Sequence, residues 1–338
     1  MNVLLVTDSF PPVCGGSGWS TFELARGLRA RGHAVLVMKV TAGSSTKETE
    51  TPYDGLRVIE FHAYAPPIPG VRNYFKNERL YARLTPRLEK LIAAHRIQIV
   101  HGQHVLSVPP AIEAARRAGI PSVATVRDYW PVCYRSDLIH TPETLRWCPG
   151  CSRAAMVHGG RPNIGVVGLA TLLVGRYLRA NLERKQEALA SAGAVIAVSS
   201  TLAADLKVRA PRLASTQIEV IPNPVSADAV RARAEADPPL ADPYALYVGK
   251  LAPNKGTRHL IGVAERAQLD WALVIVGDGP DRAALEREAA TSDCDVRFVG
   301  WQDPAQTATW MAHASMLIFP SHGPESLSRV LIEASGLG

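Results

Sequence analysis

Residues 316–338 read MLIFPSHGPESLSRVLIEASGLG, and the interpretation of the chain begins from this stretch. The apolar run from Met316 to Phe319 predicts a buried strand. A turn rich in proline, serine and glycine follows it, and apolar residues at helical spacing come next. The pattern therefore predicts a strand, a tight turn and a helix that begins at Glu325.

Two carboxylates, Glu325 and Glu333, lie in this stretch with seven residues between them. On a helix that spacing is two turns, so both would lie on nearly the same face, about 12 Å apart along the axis. The first N–H groups of a helix have no internal partner and can receive an anion. A ligand with a sugar at one end, a diphosphate in the middle and a ribose at the other end fits this layout.

The Glu-x7-Glu pattern after a Pro-Ser turn resembles the donor site of retaining family 4 glycosyltransferases, which have the GT-B fold. Further segments similar to that family lie upstream: Val248–Gly256 (VGKLAPNKG), Leu273–Pro280 (LVIVGDGP) and Val296–Trp301 (VRFVGW). Near the amino end, Pro11-Pro12 and Gly15-Gly16 precede a helix that closes with Arg31–Val35, like the opening of the family. The resemblance covers nearly the whole chain, from Asn2 to the end.

Strand and helix patterns alternate along the chain, which predicts an α/β protein with parallel sheets and helices on both faces. The predicted strands of the first half are Val3–Thr7, Ala34–Val40, Leu56–Phe61, Ile97–His101, Ser122–Val126, Ala194–Val198 and Gln217–Ile221. Helical stretches such as Trp19–Arg31 and Pro110–Ala118 separate most of them. The resemblance implies two Rossmann-like domains that face each other across a cleft.

The expected domain order follows from the prolines and from the restart of the strand–loop–helix pattern at Tyr244–Val248. We expect an acceptor-side domain over residues 1–222 with an insert at about 128–165, a linker over 223–243, and a donor-binding domain over 244–338. In the family, further strands and helices normally follow the point that corresponds to Gly338. The resemblance therefore implies that the second domain is incomplete.

Most donor contacts are expected in the second domain. Lys250 and Lys255 bracket a glycine loop and would clamp the diphosphate as charge builds on the leaving group. Glu325 would hold hydroxyls of the donor sugar, and Glu333 would accept two hydrogen bonds from the ribose. The segment between them would meet the phosphate through backbone N–H groups and hydroxyls: Ser326, Leu327 and Ser328. The alternative is a solvated lysine pair and glutamates favoured near a helix N-terminus.

Glycines and polar residues of the first domain are also candidates. Gly15 and Gly16 would let a loop approach the diphosphate of the donor or the acceptor closely, or they form an ordinary turn. Arg127 stands where the family often has a histidine that touches the donor sugar. It would bind a sugar hydroxyl or a carboxylate, or pair with Asp128 in a structural role.

Three residues lie on the acceptor side of the predicted site: His101, His104 and Asp128. The two histidines follow the strand that ends near Val100, and each would face the acceptor or be a satisfied local histidine.

As catalytic residues we predict Glu325, Arg127 and Lys255. The resemblance implies transfer with retention, without a catalytic metal or other cofactor, in which the departing phosphate takes the proton of the acceptor.

Cysteines raise the question of a structural metal. Cys133, Cys148 and Cys151 lie in the expected insert, the last two as a C-x-x-C pair. Zinc needs four ligands at such spacings, so His140 or His158 would have to complete the site. The alternative is free thiols, or a labile disulfide that a reducing cytoplasm disfavours.

Composition bounds partners and location. The chain has 338 residues and a net charge of +6, with 47% hydrophobic residues. The charge favours anionic partners such as nucleotides, phosphates or a membrane surface, with no sign of nucleic-acid binding. The absence of a signal-peptide pattern and of a long apolar run predicts a cytoplasmic protein, with peripheral contact at the inner membrane face as an option. A glycan, a lipid-linked sugar or a small hydroxyl compound would be the acceptor.

A row of basic residues supports the membrane or phosphate option. These residues recur every three or four positions on one face of a predicted helix: Arg72, Lys76, Arg79, Arg83 and Arg87. They would contact anionic headgroups or a phosphorylated acceptor, or form a solvated helix face.

Two rival functions remain open at this point. The first is a nucleotide-sugar epimerase on the same fold, which would act on the donor without an acceptor. The second is a module that binds nucleotide sugar without turnover. An oxidoreductase is disfavoured because Gly277-Asp278-Gly279 and Gly15-Gly16-Ser17-Gly18 do not form a G-x-G-x-x-G fingerprint.

Overall fold

The computed structural model describes residues 1–68, 71–134, 136–141, 146–148, 168–234 and 236–338. The chain divides into two compact units, Met1–Asp137 with Pro149–Pro224 and Leu138–Cys148 with Val225–Gly338. Among the described residues, no helix combines the length and apolar character needed to cross a membrane.

Strands and helices alternate in the described residues. The strands are β1 (Asn2–Thr7), β2 (Ala34–Gly43), β3 (Thr49–Glu50), β4 (Arg57–Tyr64), β5 (Ile99–Gly102), β6 (Ser122–Val126), β7 (Ile139–Thr141), β8 (Arg146–Trp147), β9 (Ala194–Ala197), β10 (Ile218–Val220), β11 (Tyr244–Val248), β12 (Ala272–Val276), β13 (Val296–Gly300) and β14 (Met316–Leu317). The helices are α1 (Gly16–Ala30), α2 (Val71–Tyr74), α3 (Leu80–Ala94), α4 (Val108–Ala118), α5 (Gly168–Ala190), α6 (Ser200–Arg209), α7 (Ala227–Arg233), α8 (Leu260–Arg266), α9 (Arg282–Ala289), α10 (Pro304–Ala312) and α11 (Arg329–Leu337).

The sheet of the first unit has the order β10-β9-β6-β5-β1-β2-β4-β3 within the described residues. Its strands run parallel except β3, which pairs antiparallel with β4. The chain moves outward from β1 on one side through β2 and β4, and on the other side through β5, β6 and β9. In such doubly wound sheets, ligands bind beyond the carboxyl ends of the strands where the order reverses, which here is between β1 and β5.

The sheet of the first unit is covered on both faces, as its apolar strands require. Leu4 and Val6 point to one face and pack with residues of α3 and α4 such as Leu88. Val3 and Leu5 point to the other face and join Phe22 of α1. Complete burial of a leucine or valine contributes about 1.5–3 kcal/mol, so these alternating residues hold the central strand firmly.

The second unit contains a parallel sheet with the order β13-β12-β11-β14 and, among the described residues, the antiparallel pair β7-β8. Tyr247 and Ile275 pack against α8 and α9 on one face of the parallel sheet. Tyr244, Val274 and Met311 form the core on the other face, next to α11.

Two predictions about the last stretch are wrong. The strand predicted over Met316–Phe319 has two residues, and Met316 is 42% exposed, because β14 lies at an edge of its sheet and pairs only with β11 in the described residues. The helix begins at Arg329 rather than at Glu325. Tertiary contacts hold the intervening segment as a loop, including a hydrogen bond from Gly323 N to the carbonyl of Asn254.

Two further segments carry structure that the sequence patterns did not indicate. Within residues 223–243, predicted as a linker, α7 forms and buries Val230. The basic row does not occupy one regular helix, since a π-helical turn over Phe75–Arg79 stands between α2 and α3. A π-turn carries more residues than an α-turn, so it rotates Arg72 and Lys76 away from the face that carries Arg87.

Candidate functional site

Two loops of the second unit meet at Gly256. This residue has φ +69°, and an added Cβ atom would lie 2.1 Å from the carbonyl oxygen of Pro320. Glycine is therefore required both by the left-handed backbone and by the close approach. Ser321 Oγ also lies close to this point, 3.4 Å from the carbonyl oxygen of Asn254. The loop after β11 thus lies directly against the loop after β14.

The two loops bring Lys255 and Glu325 together. Lys255 Nζ lies 2.5 Å from Glu325 Oε2, and Ser321 Oγ donates to the same oxygen at 3.1 Å. Both charged side chains are about 30% exposed, at 30% and 29%. The pair is therefore partly open to solvent, and its two charges can be reached by a ligand.

The second predicted carboxylate lies on the helix α11. Arg329 Nε donates to Glu333 Oε1 at 2.7 Å, one turn along the helix. The segment predicted to meet the phosphate, Ser326 to Ser328, forms the loop before this helix, and Ser328 is its N-cap residue. The N–H groups of the first helical turn therefore lie beyond Ser328, four residues later than predicted.

Within the described residues, the side chain of Lys250 makes no hydrogen bond or ion pair with this cluster. Its side chain is exposed, and its carbonyl accepts a hydrogen bond from the Tyr247 hydroxyl at 3.0 Å. Burial raises the pKa of that Tyr247 hydroxyl. Of the two lysines predicted to clamp the diphosphate, Lys255 lies beside Glu325 and Lys250 does not.

A buried aspartate, which the sequence analysis missed, fixes the loop that carries Lys255. Asp281 is 3% exposed and accepts a hydrogen bond from Thr257 Oγ1 at 2.8 Å. Its other oxygen accepts from Nε and Nη2 of Arg258 at 3.2 and 3.0 Å. The only signal in the sequence is an acidic residue immediately before a helix, which is a common capping position.

At the start of α1, the packing leaves no room for a side chain at Gly18. An added Cβ there would lie 2.7 Å from Cys14 Cβ and Sγ. Gly15 is the N-cap of α1 and has open space around its missing Cβ, while Gly16 is the first helical residue. The open surroundings of Gly15 are compatible with the predicted approach of a ligand.

A histidine bridges two aspartates at the carboxyl ends of β1, β5 and β6. His104 Nδ1 lies 3.0 Å from Asp8 Oδ2, and His104 Nε2 lies 3.0 Å from Asp128 Oδ2. Burial alone would lower the pKa of His104, but the hydrogen bonds to Asp128 and Asp8 outweigh it and raise the pKa to about 10. Both ring nitrogens face carboxylates, which requires the imidazolium form. Sequence reasoning found His104 and Asp128 but missed Asp8, whose only signal is its place directly after β1.

The other two candidates at this edge, His101 and Arg127, make hydrogen bonds within the protein. His101 Nε2 lies 2.7 Å from Thr125 Oγ1. Burial, with a smaller effect of Arg127, lowers the pKa of His101 to about 3, so this ring is neutral. Arg127 is 7% exposed and donates to Gln103 O at 2.8 Å and to Asn223 Oδ1 at 2.9 Å.

The proposed zinc site is only partly covered by the structure. Cys133 is buried and Cys148 is half-buried, whereas Cys151 lies outside the described residues. Where the chain is described, no group of three or more His, Cys, Asp or Glu residues could hold a metal ion. The zinc hypothesis therefore stays a prediction.

Models of known protein families match most of the chain. The family model for Glycosyltransferase Family 4 matches residues 14–229, and the model for Glycosyl transferases group 1 matches residues 242–338. A GDP-mannose-dependent alpha-mannosyltransferase of Mycolicibacterium smegmatis is 26% identical over 100% of this chain and 78% of its own length.

Solved structures share the fold. A sucrose-phosphate synthase from Thermosynechococcus elongatus superposes with a TM-score of 0.62 at 18% identity, covering 98% of this chain and 78% of that protein. HepE of Anabaena in complex with UDP-glucose gives a TM-score of 0.58 at 16% identity, covering 100% and 78%. Two Rossmann-like domains of the GT-B fold account for both units. The chain belongs to glycosyltransferase family 4.

Proposed function

We propose that the protein transfers a sugar from a nucleotide diphosphate sugar to a hydroxyl acceptor, with retention of anomeric configuration and without a metal. The observation that carries the proposal is the contact between Lys255 and Glu325 at 2.5 Å. It places a cation and a carboxylate side by side at the meeting point of two loops. The ammonium of Lys255 can bind a diphosphate, and the carboxylate of Glu325 can accept hydrogen bonds from sugar hydroxyls.

The remaining donor contacts follow along the same stretch. The N–H groups of the first turn of α11 would bind phosphate oxygens, and the helix dipole favours negative charge there. Glu333, oriented by Arg329 at 2.7 Å, can accept hydrogen bonds from ribose hydroxyls. This order of groups matches the order sugar, diphosphate, ribose.

The chemistry needs little from the protein beyond orientation and charge. Lys255 stabilises the negative charge that develops on the leaving diphosphate. Glu325 holds the donor sugar so that its anomeric carbon meets the acceptor hydroxyl. The departing phosphate takes the proton of that hydroxyl, which leaves the new bond on the same face of the sugar.

The nucleotide base of the donor is not assigned, because the similar proteins differ in the base that they are named for or were solved with. The mycobacterial relative is named for GDP-mannose, and HepE was solved with UDP-glucose. Thermal stability should therefore be measured with UDP, GDP and ADP at millimolar concentration. A ligand that binds only the folded state raises the midpoint in proportion to its affinity.

Transfer itself needs a second experiment. The donor that corresponds to the stabilising nucleotide is incubated with a panel of hydroxyl acceptors, with and without EDTA. We expect a product whose anomeric proton coupling matches that of the donor, at a rate that EDTA does not change. An inverted product or loss of activity in EDTA would contradict the mechanism. Isomerised donor in a reaction without acceptor would identify an epimerase instead.

A further inference from the structure

The strand pair β7–β8 lies within the sequence of the first unit but is part of the second. The segment Leu138–Cys148 belongs to the second unit, although the chain before and after it belongs to the first. Its two strands pair antiparallel. The backbone N–H of Cys148 donates to the carbonyl of Leu138 at 2.7 Å, so the segment starts and ends at one point. It is thus a closed loop in the unit that carries Lys255 and Glu325.

The first two residues of this segment are buried. Leu138 is 2% exposed and Ile139 is 5% exposed. Leu138 has φ +53°, a left-handed backbone conformation that a leucine adopts only when its surroundings hold it there. The start of the segment is therefore fixed by packing.

Ile139 meets the loop that carries Glu325. A Cβ atom built on Gly323 would lie 3.6 Å from Ile139 Cδ1, which is an ordinary van der Waals distance. The same Cβ would lie 3.2 Å from the carbonyl oxygen of Asn254. The open side of Gly323 therefore faces both the terminal methyl group of Ile139 and the loop after β11.

This contact lies two positions before Glu325 in the chain. Residues 318–328 form the loop between β14 and α11, and β14 itself has two residues. Gly323 N donates to the carbonyl of Asn254 at 3.3 Å, which ties the loop to its neighbour. A long loop on a short strand loses much conformational freedom when it is fixed, so each anchor matters. The packing of Ile139 adds a second anchor at Gly323.

The loop that carries Lys255 has a separate anchor. Asp281 accepts hydrogen bonds from Thr257 Oγ1 at 2.8 Å and from Arg258 Nη2 at 3.0 Å. Asp281 is 3% exposed, so water competes little for these bonds. A change at Ile139 therefore removes an anchor from the loop of Glu325 and leaves the anchor of Lys255 in place.

We infer that Ile139 is a positioning residue for Glu325: it packs on Gly323 and holds the loop after β14 in the conformation that sets the carboxylate beside Lys255. The inference rests on the proposed transferase function and adds to it a part of the chain outside both loops. A contact that orients a group on the donor sugar acts on the rate of transfer, because small displacements of reacting groups cost large factors in rate. Phosphate binding by Lys255 should stay nearly unchanged.

Three substitutions of Ile139 grade the contact. Ile139→Val removes only Cδ1, the methyl group that faces Gly323, and Ile139→Ala removes the whole side chain beyond Cβ. Ile139→Met restores the reach of the side chain with a flexible apolar group. Leu285→Ala is the control for a general loss of stability, since it removes a buried side chain of α9 from the core that also contains Ile275.

Hydrogen exchange of the full chain without ligand tests the contact independently of activity. We expect the amides of residues 321–328 to exchange at least about tenfold faster in Ile139→Ala than in the wild type, because the loop opens more easily. Ile139→Val should show a smaller increase, and Ile139→Met should approach the wild type. Leu285→Ala should leave the exchange of this loop unchanged.

Two results of the exchange experiment would overturn the inference. The first is wild-type exchange of residues 321–328 in both Ile139→Val and Ile139→Ala. The second is an equal acceleration of this loop in Leu285→Ala, which would reflect the stability of the unit alone. Ile139→Val deletes a single methyl group and decides the result if Ile139→Ala does not fold.

Kinetics separate positioning from a general structural role. With the donor that the wild type uses, we expect Ile139→Ala to lower kcat by at least about tenfold. The Kd of the corresponding nucleoside diphosphate should stay within about twofold of the wild type, since Lys255 keeps its anchor. Ile139→Met should recover most of kcat. A loss of nucleotide affinity parallel to the loss of kcat, or wild-type kcat in Ile139→Ala, would contradict the inference.

Failure of this inference differs from failure of the proposed function. If the wild type transfers no sugar from any donor, the transferase proposal fails, and hydrogen exchange still decides whether Ile139 fixes the loop. If the wild type transfers sugar and Ile139→Ala matches it in both exchange and kcat, the transferase proposal stands and the role of Ile139 is wrong.

Discussion

Lys255 Nζ and Glu325 Oε2 lie 2.5 Å apart although the two residues are 70 positions apart in the chain. At about 30% exposure of both side chains, such a pair contributes roughly 0–1 kcal/mol to folding. The arrangement is thus worth little as a stabilising interaction. Its value lies in two opposite charges held within reach of one ligand.

Lys255→Ala should weaken the binding of nucleoside diphosphate, whereas Glu325→Ala should spare that binding and abolish transfer. A charge-assisted hydrogen bond to phosphate is worth about 1.5–3 kcal/mol, so we expect at least a tenfold loss of affinity in the lysine variant. Calorimetry with UDP or GDP and a transfer assay measure the two effects.

The lysine prediction has a matched control in Lys207→Ala, a change at an exposed position of the other unit. Unchanged nucleotide affinity in Lys255→Ala would mean that the diphosphate is bound elsewhere. Normal transfer by Glu325→Ala would remove the assigned role of this carboxylate.

Gly256→Ala should destabilise the second unit and weaken nucleotide binding together. The left-handed backbone costs alanine about 1–2 kcal/mol, and the contact at 2.1 Å with Pro320 O forces the two loops apart. Gly262→Ala is the matched control, because its nearest neighbour is Arg266 Nη1 at 3.9 Å inside α8. Alanine should stabilise that helix by about 0.5–1 kcal/mol. Urea unfolding and UDP titration report both effects, and equal stability of the two variants would contradict the assigned role of Gly256.

The sequence predicted the strands well because alternating burial on two faces leaves near-continuous apolar runs such as Val3–Thr7. It also identified Lys255 and Glu325 singly. Their contact could not be predicted, since it depends on the close approach of Gly256 to Pro320, which no local pattern encodes. The start of α11 was misplaced for a related reason: long-range contacts keep Glu325 out of the helix.

Asp8 and Lys185 illustrate a second limit. Asp8 gains its role from the contact with His104, and Lys185 is distinguished by its burial; both depend on how distant elements pack. Lys185 belongs to a long helix with many charges, so the sequence alone treats it as solvated. Only the placement of α5 reveals that this ammonium is buried.

His104 should make the protein less stable as the pH rises above neutrality. The pKa of His104 is about 10 in the folded protein against an ordinary value of 6.5. Its contribution is therefore complete below pH 6.5 and is lost as the pH rises towards 10. Between pH 6.5 and 9, the free energy of unfolding of the wild type should fall by more than about 1 kcal/mol relative to that of His104→Gln, because the variant lacks this titration.

Urea unfolding at several pH values measures this difference. Asp8 and Asp128 pair with His104, and both aspartates also act on the ammonium of Lys185. The buried ammonium of Lys185 has a pKa lowered to about 8 and destabilises the folded protein while it is charged. Above pH 8 it becomes neutral, so its effect on stability is opposite to that of His104. Comparison of the wild type with His104→Gln largely cancels that effect. Parallel pH profiles for the two proteins would refute the imidazolium assignment.

His101 should affect stability on the acid side. Its pKa is lowered to about 3 by burial and by Arg127, so its contribution is complete above pH 6.5 and is lost as the pH falls towards 3. The wild type should therefore lose stability between pH 6.5 and 4 more steeply than His101→Asn. His259→Gln, at an exposed position, serves as the control and should follow the wild type. A profile of His101→Asn that coincides with the wild type would show that the imidazole is solvated.

Arg127→Met decides between a structural and a direct catalytic role for this guanidinium. Arg127 is 7% exposed and donates to Gln103 O at 2.8 Å and Asn223 Oδ1 at 2.9 Å, which ties the end of the first unit to the carboxyl edge of β5. Loss of these bonds to a charged donor should cost about 1.5–3 kcal/mol of unfolding free energy. We expect the folded variant to retain nucleotide affinity and most of its transfer rate at low temperature. Unchanged stability with loss of transfer would instead place Arg127 in contact with the reacting sugar, since a group that acts only on the substrate is removed without cost to the fold.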